Sequence, residues 1–162
     1  MIVVSDTSPL QYLVQIDCVN ALPKLYGEVI TAPQVISEMV APGAPPSVSR
    51  FAKRPPEWLI VRSPVELRFV DQLDRGEAAA ISLACQERAD LVLIDERAGT
   101  AVAKSEGLRV IGTLGVLVEA GVEGFIDFPR TLKRLEDETD FYASPRLLAT
   151  VRQLFNDRKR QT

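Results

Sequence analysis

The chain reads as an α/β protein, a three-layer sandwich in which a central, mainly parallel sheet is flanked by helices. Three observations predict it. Short apolar runs too brief for helices, at 2–4, 91–94 and 109–111, alternate with longer stretches of helical spacing, the pattern of βαβ units. The 91–94 run, LVLI, is apolar throughout and does not alternate, as a strand covered on both faces requires. The stretch from 73 to 97, LDRGEAAAISLACQERADLVLIDER, joins a helix start, a buried strand and two placed carboxylates in one unit. In such sheets function gathers beyond the carboxyl ends of the strands, which is where Asp95 falls.

Taken in order, the β-branched run 2–4 opens a strand that ends at about Ser5, and Ser8 followed by Pro9 reads as the cap and first position of a helix to about Gln15. Asp17 is placed to cap a second short helix that stops at Gly27. A strand around 28–31 leads to Pro33, which starts the helix PQVISEMVA. There Val35, Ile36, Met39 and Val40 share one arc and Glu38 lies well away from its centre. Five prolines and a glycine make 41–57 a loop or broken helix. A strand at 58–61 and a short helix at 64–73 precede the central unit, whose helix covers 74–88. A helix over 100–106 with Gly107 as its stop, a strand at 109–111, and an apolar helix entered through Gly112, Thr113 and Gly115 and reaching Ala120 follow. From about 124 only helices are expected, near 127–137 and 145–158, the last trailing into a charged, frayed end.

At 162 residues and 46% hydrophobic content, the chain suits one domain over 1–162 with a helical C-terminal tail. No apolar run approaches the ~20 residues of a membrane span and no signal peptide is evident, so a cytoplasmic protein with no membrane partner is expected. Cys18 and Cys85 have neither metal-ligand spacing nor a disulfide framework and read as core thiols. The absence of histidine removes Ser-His and Cys-His triads and imidazole acid–base cleavage of RNA. Chemistry is left to carboxylates, amines or metals. A net charge of −3 and a pI near 5.1 do not make the whole surface a nucleic-acid binder, so cationic contacts must be local. Arg50, Lys53 and Arg54 form one cluster, Arg130, Lys133 and Arg134 another, and Arg158, Lys159 and Arg160 a third; each also reads as a solvated helix face.

Asp6 and Asp95 each follow an apolar strand, so a parallel sheet projects both from one edge. The ordinary capping role is better filled by Ser8 than by Asp6. Glu77 has a structural reading of its own, because Asp74 and Glu77 match a capping box. Yet Glu77 shares a helix face with Ala80, Ile81 and Ala84, and a buried carboxylate wants a cation or a proton. Glu38 taken alone is an ordinary helical glutamate. Together, Asp6, Glu38, Glu77 and Asp95 converge without an obvious ring of arginines, and oxygen-only donors suit Mg²⁺ or Mn²⁺.

The runs VVSDTSPL, LDRGEAAAISLA and LVLIDERA, with the helical Glu38 between them, resemble the motif series of PIN-domain proteins, including the toxin ribonucleases of toxin–antitoxin pairs. GEAAAISLA and VIGTLGVL are similar to a poorly characterised PIN subgroup of predicted nucleic-acid-binding proteins. The resemblance covers about 3–117. It implies a PIN-like fold and a metal-dependent endoribonuclease whose acids Asp6, Glu38, Glu77 and Asp95 bind one or two Mg²⁺ or Mn²⁺ ions. Glu77 stands where many members carry aspartate. Thr7 and Thr113 stand where the family often has polar side chains near the metals, as supporting residues.

RNA is the substrate this implies, with Arg50, Lys53 and Arg54 as contacts. A cognate antitoxin that covers the acids and a homo-oligomer, most simply a dimer, are the expected protein partners. The alternative is a non-catalytic PIN-like module that binds RNA or protein. A third class, phosphoryl transfer through an aspartyl nucleophile, is disfavoured because Thr7 and Ser8 follow Asp6 with no second aspartate two residues on.

Overall fold

The computed structural model describes all 162 residues. Five strands, β1 (Val3–Ser5), β2 (Val29–Thr31), β3 (Leu59–Val61), β4 (Leu91–Leu93) and β5 (Val110–Ile111), form one sheet in the order β3-β2-β1-β4-β5. Every pairing is parallel, with Val4 opposite Ile30 on one side and Val92 on the other. β1 is central and fully buried, consistent with its lack of alternation. From β1 the chain builds outward through β2 and β3, then returns to lay β4 and β5 on the other flank. The order of the sheet therefore switches between β1 and β4, and the crevice beyond their carboxyl ends is where α/β sheets bind ligands.

The helices are α1 (Thr7–Gln15), α2 (Ala21–Tyr26), α3 (Pro33–Met39), α4 (Pro46–Lys53), α5 (Arg75–Glu87), α6 (Arg97–Ser105), α7 (Thr113–Val122), α8 (Phe128–Glu138) and α9 (Pro145–Arg160). α3 packs on α4 and α5, and α5 on α6; α7 packs on α2, α8 and α9; α1 touches both groups. One core of buried apolar side chains runs from Val3 to Val151, so the C-terminal helices share it through Phe128, Leu132, Leu135 and Val151. α5 shows why the sequence chooses this arrangement. Its small face, Ala78 to Ala80 and Ala84, is fully buried, which lets the helix lie close to β1 and α3.

Several expectations are corrected. Helix α1 begins at Thr7, not after Ser8, so Asp6 takes the N-cap position and makes no capping hydrogen bond with its side chain. Asn20, not Asp17, sits at the N-cap of α2; Asp17 adopts a left-handed φ of 56° and pairs with Arg134. The 41–57 region contains α4, because Pro46 is tolerated at its first turn and Val48 and Ala52 reach the core. The helix expected at 64–73 does not form. Leu67 and Phe69 pack on the core and Leu73 is buried in it, but Phe69 takes a left-handed φ of 66° and the Val65 and Arg68 N–H groups donate to Gln86 and Ser82 of α5, so helical bonds are not made. α6 starts earlier, at Arg97, with Glu96 at its N-cap, and α9 stays helical to Arg160 rather than fraying. Cys18 is buried as expected, whereas Cys85 is only half-buried, near Glu106 and Arg68.

Candidate functional site

The acids gather at the switch point. Asp6 follows β1 and its N–H donates to Leu93 O of β4 at 2.9 Å, tying the two strand ends together. Asp6 is 2% exposed, and its Oδ1 has no hydrogen-bond partner at all. Burial holds its carboxyl well above the usual range, opposed by the Thr7 N–H and reinforced by the charges of Glu96, Glu77 and Glu38. Asp95 lies two residues beyond β4. It accepts the Thr113 N–H at 2.8 Å and the Thr113 hydroxyl at 2.7 Å, which fix its orientation from the start of α7. Burial raises its pKa and those two hydrogen bonds oppose the rise.

Glu38 reaches the site from the last turn of α3. Its Oε2 accepts the Thr7 hydroxyl at 2.5 Å and its Oε1 accepts the Gly76 N–H at 3.0 Å. A Cβ on Gly76 would fall on that carboxylate, so the glycine is what lets Glu38 approach α5. Glu77, one residue further along α5, forms half of the expected capping box: its N–H donates to Asp74 Oδ1 at 2.9 Å. Its own carboxylate meets the Asp74 carboxylate, not the Asp74 N–H. A Cβ on Gly99 would run into Ile94 Cδ1 and lie 3.0 Å from Glu77 Oε2, so the glycine lets α6 sit close to Ile94 and beside Glu77. Burial first, then Asp74, Glu96 and Glu38, push Glu77 up to about 8.

Glu38 and Glu77 thus lie near enough to Asp6 to raise its pKa, Thr7 holds Glu38, and Asp95, held by Thr113, joins the group through Glu96. Arg50, Lys53 and Arg54 do not join it: Arg50 and Lys53 are exposed on α4 and Arg54 at its C-cap, with no hydrogen bond or ion pair to the acids. Sequence reasoning missed Glu96. It accepts the Ser8 hydroxyl at 2.8 Å, and its charge raises the pKa values of Asp6, Glu77 and Asp95. Its position directly after Asp95 was the available signal, but a strand end does not reveal which way the next residue turns. Also missed were Tyr12, Phe141 and Tyr142, which line a hollow with Asp95 and Glu96; 139–144 carries no periodic pattern to announce them.

No lysine or arginine forms an ion pair with any of these acids. Buried carboxylates without a cation, one of them with an orphaned oxygen, fit a hard divalent ion, since every available donor is oxygen. As they stand, no three acids already surround one point closely enough to hold a metal.

The fold and the crevice define a class: parallel α/β proteins with acids at the β1/β4 switch point. A PIN-domain family model matches residues 2–157, and the chain belongs to that family, whose members are typically nucleases that commonly bind divalent metals. No match was found among curated proteins or among solved structures. No helix is long and apolar enough to cross a membrane.

Proposed function

We propose that the chain is a metal-dependent endoribonuclease that hydrolyses RNA phosphodiesters, and that it serves as the toxin of a toxin–antitoxin pair. The observation that carries the nuclease reading is Asp6 Oδ1, buried without a partner at the switch point among acids that no cation neutralises. Asp6, Glu38, Glu77 and Asp95 would hold one or two Mg²⁺ or Mn²⁺ ions. Such an ion supplies an activated water and stabilises the leaving oxygen of a phosphodiester. Thr113 keeps both oxygens of Asp95 oriented, and Thr7 with Gly76 holds Glu38 at the crevice. Burial, with Asp74, Glu96 and Glu38, pushes Glu77 up to about 8, and a bound cation would favour its charged form. Arg50 and Lys53, exposed on the helix packed against α3, and Arg54 at its C-cap offer a cationic track for RNA outside the acids.

Cleavage of short single-stranded oligoribonucleotides with Mg²⁺ or Mn²⁺ tests the reading. Wild type is expected to cleave and Asp6→Asn to lose at least about 100-fold, the scale of removing a catalytic group. Metal-dependent thermal stabilisation in wild type with no cleavage of any RNA would reject the nuclease. An antitoxin would cover the acids and insert a cationic side chain among them. Unchanged cleavage on adding the protein encoded next to this chain's gene would count against that partner. Dimerisation through α9, where Leu147 and Leu154 are about half exposed, is checked by sedimentation.

One observation favours the second reading, a module that binds RNA or protein without turnover: no three acids are yet arranged to hold an ion. It predicts RNA binding that survives Asp95→Asn, together with no metal response in the wild type.

A further inference from the structure

Past Asp95 the crevice opens into two adjoining hollows of about 490 and 210 Å³, which share Asp95, Phe141 and Tyr142. Their outer wall is the connection between α8 and α9, and that connection is pinned. The Tyr12 hydroxyl donates to Asp140 at 2.9 Å, and the Tyr12 ring meets Phe141 edge-on at 5.1 Å. The Phe141 N–H donates to the Thr139 hydroxyl oxygen at 3.1 Å, and that hydroxyl donates to Leu135 O at 2.7 Å. Tyr142 is different. It is 83% exposed, and its hydroxyl makes no hydrogen bond within the chain. A large ring held in water on an anchored backbone contributes little to folding, yet it stands beside the acids. The larger hollow also contains Lys104, whose ammonium has no ion-pair partner, and a floor that includes Ile94 and Leu114.

We propose that this hollow is a nucleobase subsite for single-stranded RNA, with one unpaired base stacked on Tyr142 and the adjoining phosphate met by Lys104. The inference rests on the ribonuclease reading and adds where the strand is gripped. Its physical basis is a mismatch: a crevice of carboxylates repels a polyanion, so affinity must come from groups beside them. An exposed aromatic face stacks on any base, and a neighbouring ammonium matches the phosphate that follows it. Lys104 is the one cation in the two hollows, beside Asp95 and Glu96, so a strand entering here is held by stacking on Tyr142 and by that one ammonium.

The experiment measures binding of a labelled, short oligouridylate to the full chain in EDTA, and its cleavage with Mn²⁺. Tyr142→Ala is expected to weaken binding by about 5- to 150-fold, the range for loss of one base–aromatic stack, while Tyr142→Trp retains it. Its melting temperature should match wild type, because the ring is exposed. Removing the base at the stacked position should weaken wild type to the same degree and Tyr142→Ala no further. Lys104→Ala should lower the salt dependence of binding by about one phosphate contact. Tyr142→Ala that binds as tightly as a wild type that also cleaves would overturn the subsite and leave the nuclease reading standing. Wild type that neither binds nor cleaves RNA removes both. Loss of a protein partner alone in Tyr142→Ala would assign the hollow to that partner and overturn the proposal.

Discussion

Glu77→Gln should stabilise the metal-free protein at alkaline pH and leave it nearly unchanged below about pH 4.5. Burial, the bonded Asp74 carboxylate, and the charges of Glu96 and Glu38 together push Glu77 from 4.5 to about 8. An acid whose folded pKa is raised binds more protons folded than unfolded between those two values. Each step upward in pH through that window therefore costs stability, and the cost is complete above about 8. At about 1.36 kcal/mol per unit, the window of roughly 3.5 units sets a ceiling near 5 kcal/mol. Glu77 as a residue is 8% exposed, but its carboxyl shares the rim with the exposed Asp74, where water screens it and the proton is divided between two acids. The expected gain in the glutamine variant is therefore about 1–2 kcal/mol, or about 2–8 °C for a chain of this size. Thermal unfolding in EDTA at about pH 5 and about pH 8.5 reads the difference, which should grow with pH. Adding Mn²⁺ should stabilise wild type more than the variant. An equal difference at both pH values, or a variant less stable at the higher one, would refute the account.

Gly76→Ala replaces a first-turn glycine of α5, and its methyl would displace the Glu38 carboxylate. We expect near-wild-type melting with cleavage reduced at least about 10-fold, read by parallel unfolding and activity assays. Thr113→Val keeps the N–H bond to Asp95 and loses the hydroxyl bond, at about 1 kcal/mol of stability. With one opposing bond gone, burial raises Asp95 further, so the acidic limb of the pH–cleavage profile should move to higher pH. Gly121→Ala would bring a methyl to 2.7 Å from Phe128 Cβ and 2.9 Å from the Phe155 ring, whose stack closes α8 and α9 onto α7. It should cost about 1–3 kcal/mol by denaturant unfolding and leave Mn²⁺ binding intact.

Much of the architecture could be read locally because it rests on local signals. Apolar runs that do not alternate mark doubly covered strands, and all five expected strands form. The misplacements share one cause: tertiary contacts override local rules. The 64–73 segment has helix-compatible residues, but its N–H groups are taken by Gln86 and Ser82 of α5, whereas 46–53, with prolines nearby, becomes helical because Val48 and Ala52 find the core. Ser8 is a better local cap than Asp6, yet its hydroxyl is drawn to Glu96 across the crevice.

By itself the sequence determined the five strands, the absence of imidazole chemistry, and the placement of Asp6 and Asp95 at strand ends. Those properties follow from side-chain type and periodicity, which are written residue by residue. Only the tertiary structure decided that Glu38 meets Thr7 and Gly76, that Glu96 joins the acids, that Arg50, Lys53 and Arg54 stand apart from them, and that Tyr142 overlooks Asp95. Each is a meeting of residues on separate elements, and the packing of helices on the sheet, not spacing along the chain, brings them together.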